Sequence, residues 1–161
     1  MLPDIETLHR LLRYDHLTGD LFWRSNEKIA THQKGDGTSY LMVRGQGIRD
    51  YAHRIAWALH FGLPLPFRID HRDRDASNNR ALNIRAATAS QNCANCGPTR
   101  NGLKGVTFNQ GKWHAQITYQ RHNYYLGRHA TEYEAARAYD DAARRFFGEF
   151  AGVNFPMENE Q

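Results

Sequence analysis

Residues 68–95, RIDHRDRDASNNRALNIRAATASQNCAN, constrain this chain more than any other stretch. Ile69, Asp70 and His71 form a strand end, and residues 73–80 are polar and rich in turn formers (Asp75, Ser77, Asn78, Asn79). Residues 81–87 return as a short strand, and Thr88-Ala-Ser-Gln91 is a capping box that opens a helix. The order is strand, loop, strand, helix. Asn92 falls in the first turn of that helix, where its side chain leans back toward the hairpin that carries Asp70 and His71.

A carboxylate and an amide oxygen brought together are hard ligands, suited to Mg²⁺ or Mn²⁺ rather than zinc. Two protein ligands leave room for phosphate oxygens and waters. An imidazole titrates near neutrality, so His71 beside them can take a proton from a water that attacks a phosphodiester. The parts suit metal-assisted phosphodiester hydrolysis. Adjacent residues on a regular strand point to opposite faces, so Asp70 and His71 cooperate only where the strand ends or bulges.

The order Asp70-His71, Asn83, Asn92 resembles the HNH endonuclease motif, in the variant whose last position is Asn, as in phage and intron homing endonucleases. The resemblance implies a ββα-metal (His-Me finger) fold. It implies His71 as general base, Asp70 and Asn92 as ligands of one metal ion, and Asn83 as the residue that holds the hairpin by hydrogen bonds. Arg54, Arg72 and Arg74 lie near this hairpin in sequence and are candidates for phosphate contacts.

Charge is distributed unevenly. Residues 1–69 carry nine basic and seven acidic side chains, and residues 70–99 carry four and three. Residues 100–130 carry five basic side chains, three histidines and no acid, whereas residues 131–161 carry three basic and seven acidic. A segment stripped of carboxylates beside one loaded with them implies a module with a basic face toward a polyanion and an acidic back. Nucleic acid is the natural partner, and double-stranded DNA is the one that the resemblance implies. No apolar run approaches the length of a membrane span and residues 1–14 are interrupted by Asp4, Glu6, His9 and Arg10, so no membrane partner and a cytoplasmic location are expected. Cys93 and Cys96 lack a second cysteine pair to complete a zinc site and are expected as reduced thiols.

Upstream, Asp4 caps a helix with Ile5, Leu8, Leu11 and Leu12 at helical spacing, ending near Tyr14. A turn at 15–20 contains Gly19, residues 21–23 form a strand, and residues 25–37 form a polar loop whose Lys28, His32 and Lys34 are placed to touch phosphate. Residues 40–43 and 48–52 pair as a hairpin, followed by a helix at 53–61 that Gly62, Pro64 and Pro66 stop. His53 and His60 on this helix are expected to pack and hydrogen-bond. The N-terminal part resembles the segment that precedes the nuclease motif in many phage HNH proteins and helps to bind DNA.

Beyond a linker at 98–102 the pattern changes. Residues 104–109, 112–119 and 123–127 are three strands; in the second, Trp113, Ala115, Ile117 and Tyr119 alternate with Lys112, His114, Gln116 and Thr118. A helix capped by Thr131 and Glu134 then runs to Phe147, laying a small apolar face (Ala135, Ala138, Tyr139, Ala142, Ala143, Phe146) on the sheet and turning its acids away. The segments LKGVTF, GKWHAQI, YYLGRHATEYEAARAYDDAARRFFGE and VNFP resemble the APETALA2 (ethylene-responsive-factor) DNA-binding domain. The resemblance implies a three-stranded sheet in the DNA major groove, read by Lys104, Thr107, Asn109, Lys112, Gln116, Thr118, Asn123 and Tyr125. In plant members several of these are arginine and two are tryptophan, so fewer guanine contacts are expected here.

The expected architecture is α+β. Residues 1–50 form an N-terminal helix and small sheet acting as a DNA-binding extension, and residues 51–97 form the nuclease core. Residues 98–102 are a linker, 103–156 the sheet-and-helix module and 157–161 a tail. The expected function is that of a homing-type DNA endonuclease with one Mg²⁺ or Mn²⁺ per site, monomeric or homodimeric. The alternative is a non-catalytic DNA-binding regulator that keeps the HNH scaffold.

Overall fold

A computed structural model describes residues 2–33, 39–98 and 102–156. Lys34, residues 99–101 of the expected linker and the tail at 157–161 lie outside the described residues. Chain contacts separate two units, Met1–Ala87 and Thr88–Gln161.

In the first unit the carboxylate of Asp4 accepts from the Thr7 amide at 2.8 Å and starts helix α1 (Ile5–Leu11). The chain passes straight into strand β1 (Leu12–Tyr14), earlier than the helix end expected near Tyr14, because Leu12 is extended and pairs with Trp23 of β2 (Leu21–Trp23). Between these strands Asp15 accepts from the amides of Leu17 and Thr18, and Gly19 takes φ +85°, a left-handed value that glycine adopts without steric cost.

Strands β3 (Thr31–Gln33), β4 (Leu41–Gly45) and β5 (Ile48–Tyr51) form an antiparallel meander in sequence order. Strand β3 corrects the loop expected across 25–37: Thr31, His32 and Gln33 pair with Val43, Met42 and Leu41. Three polar residues on a sheet edge offer no apolar alternation, so only the partner strand reveals them.

Helix α2 (Ala52–Phe61) follows β5 directly and ends at Gly62. Strands β6 (Arg68–His71) and β7 (Ile84–Ala87) then form a separate antiparallel hairpin. Leu8, Leu12, Leu21, Val43, Ile48, Ala52, Ile55 and Ala58 belong to one core. Each fully buried leucine or isoleucine contributes on the order of 1.5–3 kcal/mol. The N-terminal helix and strands therefore share their hydrophobic interior with α2.

The second unit begins with the short helix α3 (Ala89–Ala94), whose capping box between Thr88 and Gln91 forms as the spacing predicts. Strands β8 (Val106–Asn109), β9 (Lys112–Tyr119) and β10 (His122–His129) make a sheet of order β10-β9-β8. Gln110-Gly111 and Gln120-Arg121 connect them with positive φ at both residues, the two-residue turn that matches strand twist.

Helix α4 (Glu132–Phe147) carries the expected Thr131–Glu134 capping box and covers one face of the sheet, with Ile117, Tyr139, Ala143 and Val153 at its core. Gly105 makes this close packing possible: it takes φ +73°, and a Cβ there would run into the Tyr139 ring and the Gln116 carbonyl. Asp140 does not turn away with the other acids of α4. It is fully buried and accepts from the amides of Asn154 and Phe155 at 2.7 and 2.9 Å, which ties the VNFP segment to the helix.

The end of α3 is held within this second unit. Gly152 N donates to Ala94 O at 2.8 Å, and Lys104 Nζ donates to the carbonyls of Ala94 and Cys96, both at 2.7 Å. The contact boundary between Ala87 and Thr88 thus precedes the linker expected at 98–102.

Candidate functional site

The β6–β7 register places Asp70 opposite Arg85 and His71 opposite Ile84. Directly opposed residues share a face, so Asp70 and His71 leave the strand on opposite sides. The strand ends at His71.

Asp70 Oδ2 accepts from Arg85 Nε at 2.8 Å, an ion pair whose side chains are 5% and 7% exposed. A carboxylate has two oxygens, so pairing through one does not exhaust its capacity for a cation. On the other side, His71 Nε2 lies 3.2 Å from Asn79 Oδ1. Asn79 is itself buried, donates through Nδ2 to Ser77 O, and accepts at its carbonyl from the Tyr14 hydroxyl at 2.6 Å. Burial, and next the Asp15 charge, push the Tyr14 pKa up to about 12, so it remains a donor.

Asn83 spans the loop between the strands. Its Oδ1 accepts from the Asp73 amide, and its Nδ2 donates to Asp73 Oδ1 and Asn78 O at 2.9 and 2.7 Å. Its carbonyl accepts from the Arg72 amide. Asp73 in turn accepts from Asp75 N and Asn78 Nδ2, so the loop is a closed polar network rather than a mobile connection.

A residue expected only to pack and hydrogen-bond sits at this centre. The His53 ring lies 5.5 Å from that of His71, at 86°, and 5.5 Å from both Tyr40 and Tyr51. Its Nδ1 is buried with no hydrogen-bond partner among the described residues, and burial first, then the charges of His71 and Arg54, push its pKa down to about 3. His53 is therefore a neutral wall beside His71. Helical spacing does not reveal this, because His53 occupies the first turn of α2, where side chains point back toward the preceding strand.

Asp70, His71 and Asn83 are thus gathered on one hairpin, whereas Asn92 stands on α3 in the second unit. Arg72 is exposed on the loop, and Arg54 is paired with Asp50 at 2.8 Å. Cys93 and Cys96 are exposed and form no disulfide among the described residues. Among the described residues no three His, Cys, Asp or Glu side chains converge on a common point. One aspartate and one asparagine would not form such a group.

The sheet of the second unit presents a second candidate surface. The register sets Thr107 beside His114, Asn109 beside Lys112, Gln116 beside Tyr125 and Thr118 beside Asn123, all on the face opposite the buried Ala115 and Ile117. Asn123 Nδ2 donates to Gln116 Oε1 at 3.1 Å. Lys104 is not on this face, because its ammonium is turned onto the Ala94 and Cys96 carbonyls.

Arg128 joins the face instead. A bulge between Tyr125 and Gly127 shifts the register, so that Arg128 lies opposite His114 where strict alternation would turn it inward. The face carries Lys112, His114 and Arg128 and, among the described residues, no carboxylate.

With this geometry in place, comparison with known proteins is informative. The profile of the HNH endonuclease family matches residues 50–94, which span Asp70, His71, Asn83 and Asn92. The chain is 32% identical over 105 residues to "Uncharacterized HNH endonuclease L560" of Acanthamoeba polyphaga mimivirus, covering 63% of this chain and 56% of that protein. It therefore spans little more than half of that relative. No solved structure matches the chain.

Proposed function

We propose that this chain is a metal-dependent DNA endonuclease of homing type, with its reaction centre on the β6–β7 hairpin and a DNA-reading surface on the β8–β10 sheet. The observation that carries the reading is the coincidence of the HNH match with a hairpin that carries Asp70, paired with Arg85, His71, bonded to Asn79, and Asn83, bonded across the loop to Asp73 and Asn78.

In this reading Asp70 and Asn92 hold one Mg²⁺ or Mn²⁺, whose hard oxygen preference fits a carboxylate and an amide. Such an ion, when bound, supplies Lewis-acid polarisation and charge stabilisation at the phosphate. His71 takes a proton from the attacking water, the new P–O bond forms as the P–O3′ bond breaks, and the departing 3′ oxygen takes a proton from solvent, giving a 5′ phosphate and a 3′ hydroxyl. Asn83 keeps the loop closed while this happens. Arg72 contacts the backbone, which adds affinity without sequence information.

The APETALA2-like sheet supplies specificity. Thr107, Asn109, Lys112, Gln116, Thr118, Asn123 and Tyr125, with His114 and Arg128 added by the register, form a polar, acid-free strip suited to a groove of double-stranded DNA. One centre cuts one strand per visit, so a monomer nicks and a symmetric dimer cuts both strands. Among the described residues no helix is long and apolar enough to cross a membrane.

The test is conversion of supercoiled plasmid with Mg²⁺, with EDTA and with His71→Ala. Metal-dependent open-circular or linear product, lost in the variant, is expected. The second reading, a DNA-binding regulator on an HNH scaffold, draws on the Asp70–Arg85 ion pair, which already gives the carboxylate a cationic partner. No conversion under any divalent metal, with salt-sensitive DNA binding intact, would replace the nuclease with that regulator.

A further inference from the structure

We infer that Asn79, outside the Asp-His, Asn, Asn set, is the positioning residue of His71: its side-chain oxygen fixes the imidazole proton on Nε2 and makes Nδ1 the ring's basic nitrogen. The inference deepens the nuclease reading and rests on it for its kinetic consequence.

The argument begins with the amide's orientation. Asn79 Nδ2 faces Ser77 O at 3.2 Å, and a carbonyl only accepts, so the nitrogen belongs there and Oδ1 belongs toward His71. The amide oxygen also only accepts. At 3.2 Å from it, His71 Nε2 must therefore be the donor, and a neutral imidazole that is protonated at Nε2 carries its lone pair on Nδ1. With Asn79 1% and His71 5% exposed, the opposite tautomer would set two lone pairs against each other without water to intervene.

Asn79 can do this because its backbone is braced by the N-terminal segment. The Tyr14 hydroxyl binds its carbonyl at 2.6 Å, Ala81 N donates to His16 O at 3.1 Å, and Arg80 Nε donates to Leu17 O at 2.9 Å. Gly19 lies so close that a Cβ there would fall 2.8 Å from Asn79 C and 2.7 Å from Arg80 N. The β1–β2 turn thus grips the loop whose side chain orients the base, while Asn83 holds the loop's two ends. The two asparagines have separate tasks.

The experiment is performed on the full chain without metal, well above the ordinary histidine pKa. Long-range ¹H–¹⁵N correlations of the imidazoles, with His71 assigned by its loss in His71→Ala, locate the proton. Wild type is expected to show one tautomer, protonated at Nε2. Asn79→Ala should show both tautomers and lose roughly 10- to 100-fold in plasmid-cleavage kcat with DNA affinity unchanged, the scale of an orienting partner. Asn79→Asp keeps an accepting oxygen and should restore the single tautomer and most of that rate. Tyr14→Phe leaves the amide in place, guards against a misfolded Asn79→Ala, and should cost about 2- to 10-fold in kcat. A wild-type proton on Nδ1, or an Asn79→Ala protein that keeps both the Nε2 tautomer and full kcat, would overturn the inference. An uncut plasmid with the Nε2 tautomer present would overturn the nuclease reading and leave Asn79's role on His71 standing.

Discussion

Arg85→Met tests whether the Asp70 carboxylate is a charge that the fold must compensate. The Nε–Oδ2 distance of 2.8 Å, at an effective dielectric of about 20, corresponds to a gross attraction of roughly 6 kcal/mol, most of which offsets the desolvation of two almost fully buried groups. Removing only the guanidinium takes away a cationic partner that offsets the desolvation of the buried carboxylate, at about 3–5 kcal/mol. Removing both charges in Asp70→Leu/Arg85→Met should cost much less, about 0–2 kcal/mol, because no lone charge is left behind. Urea unfolding followed by circular dichroism, with and without Mg²⁺, measures all three proteins. Saturating Mg²⁺ should recover about 2–3 kcal/mol in Arg85→Met, the linkage expected at ~100-fold excess over Kd, and nothing in the double variant. An Arg85→Met protein within about 1 kcal/mol of wild type would refute the ion pair as a structural necessity. Equal Mg²⁺ stabilisation of the double variant would refute Asp70 as a metal ligand.

Three further outcomes follow from the same geometry. His53 has a folded pKa of about 3 against an ordinary 6.5, so the unfolded chain binds the extra proton; its contribution to stability is complete above pH 6.5 and falls by about 1.4 kcal/mol per pH unit as pH drops toward 3. His53→Phe should lack that slope, which acid-dependent denaturation midpoints will show. Gly105→Ala should destabilise the second unit by more than about 2 kcal/mol, read from its unfolding midpoint, since φ +73° and the Tyr139 ring both reject a Cβ. Lys112→Ala and Arg128→Ala should each weaken metal-free binding to unrelated duplexes about equally and reduce the salt slope by roughly 0.9, whereas Gln116→Ala should change preference among sequences.

Much of the fold was legible where one local rule dominated. Asp4, Thr88 and Thr131 accept from the amides that their spacing names, and period-two alternation in residues 112–119 matches the buried Ala115 and Ile117. Strand β3 was not legible, because its three polar residues acquire strand geometry only from β4. The side on which Arg128 lies depends on a one-residue bulge at Leu126-Gly127, and period-two alternation does not show it; its one local mark is Gly127, with φ +112°. Asp140 looked like a surface acid because its half-buried amide partners, Asn154 and Phe155, stand far along the chain.

The centre on the hairpin was legible to the same depth and for the same reason. Spacing along one chain identifies Asp70, His71 and Asn83 as residues of a single hairpin, since strand, loop and strand are contiguous. It does not identify Arg85 as the partner of Asp70, because cross-strand register is set by the length of a loop whose hydrogen bonds must first form. Still less does it reach Tyr14, separated by 65 residues from the carbonyl it binds. Groups that hold a reactive side chain in one tautomer and one rotamer come from whatever packs behind it, and packing brings together segments that are remote in sequence. The bonds that tie Tyr14, His16 and Leu17 to the 79–81 segment are what let an N-terminal tyrosine act behind Asn79, so the N-terminal segment and the hairpin are parts of one device.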